Sequence, residues 1–239
     1  MQVGRGTMPS MTVSSLDPRP PRQTSHTPPA REAQRPTPDK DQIALLEPFE
    51  RLGLDRIALI CTPAQADQAC KTLADASAWG FDTESKPTFA RDERSEGPHI
   101  VQLATLERAW VFQLHEPGCR ARVAELLALR DVTKAGFGLL DDTKRIQHKL
   151  GVQPADVLDL NTVFRQRGYR KDMGVKGAVA VLFNRRFIKS KKAATSNWAN
   201  LRLTEAQLIY AANDAWAALR VFNALERSGP PQGGDGGDV

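Results

Sequence analysis

Five side chains stand out by type and spacing. Asp82 and Glu84 sit two residues apart in Gly80-Phe81-Asp82-Thr83-Glu84. Strand side chains repeat every second residue, so both acids share one face with α-carbons about 6.6 to 6.8 Å apart, from where two carboxylates can converge on a hard cation. The plainer reading of such a pair is an exposed strand end beside a loop. Asp142 follows in Gly136-Phe137-Gly138-Leu139-Leu140-Asp141-Asp142, where a strand end turns into a helix. Helical phase sets Asp142 on the face of Ile146 and Leu150, while Asp141 lines up with Arg145 and Lys149. Asp142 is therefore expected to point inward and Asp141 to be the solvent-facing, ion-paired neighbour; stabilising the helix dipole is the alternative use for Asp142. The third group is Tyr210-Ala211-Ala212-Asn213-Asp214, a phenol and a carboxylate one helical turn apart on a stripe continued by Ala218, Val221 and Leu225. Each group alone is ordinary. Together Asp82, Glu84, Asp142, Asp214 and Tyr210 supply what two-metal phosphodiester hydrolysis requires: oxygen ligands for two Mg2+ or Mn2+ ions roughly 4 Å apart, and a hydroxyl to orient the attacking water. No softer metal is indicated, because Cys61, Cys70 and Cys119 lack C-x-x-C spacing and His99, His115 and His148 lack partners at ligand spacing.

The elements that must position these groups can be read from periodicity and caps. A strand is expected at residues 56–61, then a helix from Thr62 with Pro63 in its first turn. Strands follow at 79–84, 99–105 and 109–114, the last two joined as a hairpin by Leu106-Glu107-Arg108. A helix at 120–129, a short strand at 133–137 and a helix at 139–150 stopped by Gly151 come next. From Asp159 the chain reads as helical and ends in a long helix from Thr204, whose spacing to Gln207 is that of a capping box. Antiparallel strands followed by alternating helix and strand give an α/β fold, a mixed sheet covered by helices.

Composition bounds the rest. The 239 residues, 41% of them hydrophobic, suffice for one domain with tails. Residues 1–40 hold eight of the 16 prolines and almost no apolar periodicity, and residues 229–239 are rich in Gly; both segments are expected to be disordered, leaving 41–228 as the folded domain. A transit peptide is the alternative for the Arg-rich N-terminal tail. The formal charge is +5, yet residues 165–192 alone carry ten basic groups and one acid, Asp172, so the remainder sums to −4. A solvated helical face is the plain reading of such a run. Its place between the acidic groups favours a phosphate backbone, with Arg185, Arg186, Lys189, Lys191 and Lys192 as contacts and Trp198 as a stacking platform for a base. Packing the last helix against the domain is the favoured role for Trp198. No apolar run is long enough to span a membrane and no secretory signal is visible, so a soluble, cytoplasmic protein is expected, of unassigned oligomeric state.

The motifs resemble those of the DEDDy 3′-5′ exonucleases of the ribonuclease H-like superfamily, most of all the Werner-syndrome-type exonuclease domain and more distantly ribonuclease D. The matching stretches are Gly80 through Glu84, Val101-Gln102-Leu103-Ala104-Thr105, Lys134 through Asp142, Ser196-Asn197-Trp198, and Leu203-Thr204 through Ala215. The resemblance covers roughly residues 45–228. It implies a five-stranded sheet whose first three strands are antiparallel. It further implies Asp82, Glu84 and Asp214 as ligands of the nucleophile-activating metal, with Asp82 bridging and Asp142 completing the second site mainly through water. Tyr210 marks the Tyr subtype, because the His subtype would need His at position 209, which is Ile here. Ser85 replaces the bulky residue common after the D-x-E, and the adjoining loop at 86–98, with Arg91, Asp92, Glu93 and Arg94, is a candidate for substrate selection. The implied activity is trimming of single-stranded or 3′-recessed DNA or RNA from the 3′ end, releasing nucleoside 5′-monophosphates, by a free-standing domain. A non-catalytic nucleic-acid-binding module of the same fold is the alternative, and a protein-interaction domain with an acidic partner a more remote one.

Overall fold

The computed structural model describes residues 35–88 and 96–229. A short helix α1 (Lys40–Ala44) opens the chain, capped reciprocally by Asp39 and Gln42. Then come β1 (Ile57–Ile60), α2 (Pro63–Leu73), β2 (Ala78–Glu84), β3 (Ile100–Ala104), β4 (Ala109–Gln113), α3 (Pro117–Ala128), β5 (Thr133–Gly136), α4 (Leu140–Leu150) and β6 (Val157–Asp159). Four helices finish it: α5 (Leu160–Gln166), α6 (Gly174–Phe183), α7 (Lys191–Ala194) and α8 (Glu205–Arg227). The local signals act as expected at several ends. Thr62 and Gln65 cap α2, Thr204 and Gln207 cap α8, and Gly151 closes α4 in the left-handed conformation at φ 67°.

The sheet has six strands in the order β1-β4-β3-β2-β5-β6. Here the expectation of five strands with the first three antiparallel is corrected. β1 is an edge strand parallel to β4, and the antiparallel run is β2-β3-β4, with β5 and β6 continuing parallel to β2. β6 is three residues long, too short to display an alternation, and it merges directly into α5. The folded body also starts earlier than expected: Arg35 donates its backbone N–H to the carbonyl of Gly168 at 3.3 Å, and the Thr37 hydroxyl meets the Met173 sulfur. The expectations for residues 1–34, 89–95 and 230–239, including the charged loop 91–94, lie outside the described residues.

Alternation along β2 sorts its neighbours to two layers. Trp79 and Phe81 face a core made with α2, α3 and α4, including Leu73, Val123, Leu127 and Ile146. Gly80 and Asp82 face the opposite layer, where α8 is the principal cover and contributes Ala211, Ala215, Ala218 and Val221. Here helix and strand meet backbone to backbone. A Cβ on Gly80 would come within 1.8 Å of the Ala215 carbonyl oxygen, so only glycine admits the helix at this depth. No described helix is long and apolar enough to cross a membrane.

Gly80→Ala is expected to cost at least the upper end of the roughly 1–3 kcal/mol typical of overpacking, because a helix carbonyl cannot rotate away as a side chain can. A urea unfolding midpoint matching that of the unsubstituted protein would refute this packing.

Candidate active site

The close seat of α8 on β2 places Asp214 over the strand position occupied by Asp82. Asp82, Glu84 and Asp214 each offer a carboxylate oxygen, and the three oxygens lie within 4.8 Å of one another. Asp82 and Glu84 are half-buried, and the Asp214 side chain is only 4% exposed. An octahedral Mg2+ site spaces its oxygens roughly 2.9 to 4.2 Å apart, so a small closure of this all-oxygen set would hold a hard divalent cation. One Asp82 oxygen accepts the backbone N–H of Thr83 at 2.9 Å, which fixes the carboxylate at the strand.

Asp142 reaches the same strand from the other layer. Thr83 points away from Asp82 and its hydroxyl donates to Asp142 Oδ1, so the fourth carboxylate is tied to the edge of β2 and stands outside the group of three. Helix phase accounts for this placement: Ile146, one turn on, is fully buried, while Asp141 is 77% exposed and pairs at 3.3 Å with Lys144. The expected partners of Asp141 are engaged elsewhere, Arg145 on the Ser85 hydroxyl and Lys149 on the Glu96 carbonyl. The start of α4 is held by Asp159, whose carboxylate accepts the N–H groups of Gly138 and Leu139 at 3.1 and 3.2 Å and also caps α5 through Asn161. Asp159 escaped sequence reading because the N–H groups that donate to it lie about twenty residues upstream; its position ahead of a helix was the one available signal.

Tyr210, one turn before Asp214, is 9% exposed. Asn213 fastens this part of α8 by bonding the backbone N–H of Leu52 at 2.7 Å, the Leu52 carbonyl and the Ile209 carbonyl. The start of α8 is fastened by Gln207, which donates to the Ser196 hydroxyl and the Asn197 carbonyl. Trp198 is 1% exposed and packs against Tyr210 with ring centroids 5.8 Å apart. It cannot stack on a base, which corrects its assignment as a nucleic-acid contact; the aromatic ring fills space beneath the helix instead.

The basic window divides. Arg185, Lys191 and Lys192 are exposed, whereas Arg186 is half-buried and donates to the Ala44 carbonyl at 2.8 Å, so it is spent on the fold. Lys189 enters the site itself. Its ammonium lies 2.5 Å from Asp214 Oδ2 and 4.9 Å from the centre of the Tyr210 ring. A groove of about 380 Å³ opens beside it, lined by Asp82, Phe137, Asn161, Met173 and Asp214 among others.

All four carboxylates hold their protons more tightly than usual. Burial is the main cause for Asp82, followed by the charges of Asp214 and Asp142. Glu84 is pushed up to about 9 by burial, then by Asp82 and Asp214. Burial also raises Asp214 against the opposing pull of Lys189, and raises Asp142 against the hydrogen bond from Thr83. Burial and mutual repulsion disfavour the bare anions of such a cluster, so a bound cation that takes the place of the protons is favoured there. Because the folded Glu84 binds its proton more tightly than the ordinary carboxylate at 4.5, its contribution to stability is complete below that pH and is lost as pH rises toward about 9. In chelator, melting temperature should therefore fall between about pH 5 and 9, and Glu84→Gln should flatten the fall. Identical profiles for the two proteins in thermal melts would contradict this.

Comparison with known proteins places the geometry in a family. The mouse bifunctional 3′-5′ exonuclease/ATP-dependent helicase WRN is 28% identical over 160 residues, which is 66% of this chain and 11% of that protein. An Arabidopsis thaliana 3′-5′ exonuclease is 26% identical over 149 residues, covering 62% of this chain and 52% of the relative. The chain thus spans about a tenth and about half of the lengths of these two relatives. Among solved structures, Trypanosoma brucei RNase D in complex with RNA U12 superposes with a TM-score of 0.63 at 20% identity, over 77% of this chain and 64% of that one, a likeness of fold. The family model described as 3′-5′ exonuclease matches residues 57–229, a span that begins at β1 and ends with α8 and so takes in every carboxylate of the cluster; the chain belongs to that family.

Proposed function

We propose that the chain hydrolyses phosphodiester bonds from the 3′ end of DNA or RNA and releases nucleoside 5′-monophosphates, using two Mg2+ or Mn2+ ions. The observation that carries this reading is the convergence of Asp82, Glu84 and Asp214, whose carboxylate oxygens lie within 4.8 Å of one another. A non-catalytic module that binds a polyanion gains nothing from buried acids facing the backbone phosphates.

Asp82, Glu84 and Asp214 would hold one cation, and Asp142, from the far side of β2, would complete the site of the other. Bound divalent cations supply the acidity that activates water and stabilises the departing 3′-oxygen. The chain's own groups do the positioning. Burial and the charge of Asp214 push the Tyr210 phenol above its ordinary range, so near neutral pH it is a hydroxyl that orients water rather than a base. Thr83 keeps Asp142 at the strand edge. Exposed Arg185, Lys191 and Lys192 offer charge to the strand behind the terminal nucleotide. Support for a nucleic-acid substrate also comes from the RNase D relative, whose structure contains RNA.

A 5′-labelled oligonucleotide incubated with Mg2+ or Mn2+ should give a descending ladder. Asp82→Ala should abolish it, and Tyr210→Phe should slow it by about 10²-fold. Matched DNA and RNA strands in the same assay identify the preferred sugar. Salt-sensitive binding without a ladder on single-stranded, recessed or mismatched ends would replace the exonuclease with a binding module.

A further inference from the structure

Lys189 is unlike its basic neighbours. Arg185, Lys191 and Lys192 are exposed, whereas the Lys189 side chain is 30% exposed and its ammonium stands in contact with a carboxylate that is itself 4% exposed. Its backbone has little freedom. The preceding turn passes through Asn184 in the left-handed conformation at φ 51°. Arg186 then exchanges backbone hydrogen bonds with Glu47 and Phe49, at 2.8 and 2.9 Å, and Phe187 is buried. The side chain beyond this anchored backbone has four rotatable bonds, so the charged end can move while the loop stays.

The same Asp214 carboxylate is the one that meets Asp82 and Glu84. A divalent cation bound to Asp214 would stand within a few ångströms of an ammonium 2.5 Å from Oδ2, and in a site this poorly hydrated two cations repel strongly at that range. The charges also have a balance. Four carboxylates and Lys189 sum to −3, and two divalent cations bring the centre to +1, which one phosphodiester cancels. Without the lysine the loaded centre would be neutral and would have no net charge for its substrate.

We propose that Lys189 is a resident counter-ion of the carboxylate centre: it competes with the divalent cation for Asp214, and once displaced it remains in the groove as the positive charge that faces the phosphate. This rests on reading the centre as a divalent-cation site, and it assigns Lys189 a part in setting cation affinity beyond a contact with nucleic acid.

The test is Mn2+ alone, titrated into the full chain without nucleic acid and followed by calorimetry or by the electron paramagnetic resonance of free Mn2+. Lys189→Met should bind Mn2+ about tenfold more tightly or better, and Lys189→Arg should stay near the parent. In chelator Lys189→Met should melt lower than the parent, and saturating Mn2+ should raise its melting temperature by more than it raises the parent's. Equal or weaker Mn2+ binding by Lys189→Met would overturn the proposal, because a lysine that merely held Asp214 in place would leave a poorer site when removed. If the Met variant does not melt cooperatively, Lys189→Gln carries the same criteria. Tighter Mn2+ binding by the variant with no trimming by the parent would sink the exonuclease reading alone. A parent that trims and a variant of unchanged affinity would sink this one alone.

Discussion

The contact on which the site depends is the seat of α8 on β2 at Gly80. A helix normally stands off a sheet by the depth of its side chains. Here the Ala215 carbonyl comes down onto a strand residue without a Cβ, and alanines 211, 212 and 215 keep the buried helix face shallow. That depth lets a short aspartate on the helix reach carboxylates on the strand. The helix is then held in azimuth by polar bonds that tolerate little rotation: Asn213 to the backbone of Leu52, the Trp216 indole to the Leu106 carbonyl, and Gln207 to the Ser196-Asn197 turn. A rotation of α8 that broke these bonds would also carry Asp214 off Asp82.

Convergence of acids opposes folding, and the surrounding groups are arranged to limit the cost. Burial and mutual repulsion both disfavour the charged forms of Asp82 and Glu84. Lys189 neutralises Asp214, Thr83 donates to Asp142, and the Thr83 amide donates to Asp82. Thr83 alone thus serves two of the four carboxylates, one through its hydroxyl and one through its amide. The cluster is a local loss of stability that the two apolar layers offset, a common relation between a reactive centre and its scaffold.

Local signals made much of this legible in the sequence. The D-x-E pair on a strand, the inward phase of Asp142 against the outward phase of Asp141, and the capping boxes at Thr62 and Thr204 are each properties of a few adjacent residues, and the structure shows them where the pattern put them. What escaped is nonlocal. The parallel pairing of β1 with β4 joins residues about fifty apart, and β6 has too few residues to declare a period. Within a basic run, composition does not distinguish a lysine that turns into the centre from neighbours that face solvent. Trp198 sits in a motif compatible with stacking, and only its burial against Tyr210 assigns it to the core.

The segment ahead of β1 bears on where the domain ends. Pro48 bridges Arg186, and Phe49 packs on Phe183 and Trp216. Arg220 lies over the Trp216 ring at 4.8 Å and pairs with Glu50 at 2.9 Å. Residues 47–52 therefore clamp both the loop that carries Lys189 and the helix that carries Asp214, yet they precede the span of family similarity, which begins at residue 57. A boundary drawn by similarity would keep every carboxylate and discard the segment that braces this loop and this helix. Packing across the chain thus carries the support of this centre upstream of the first strand.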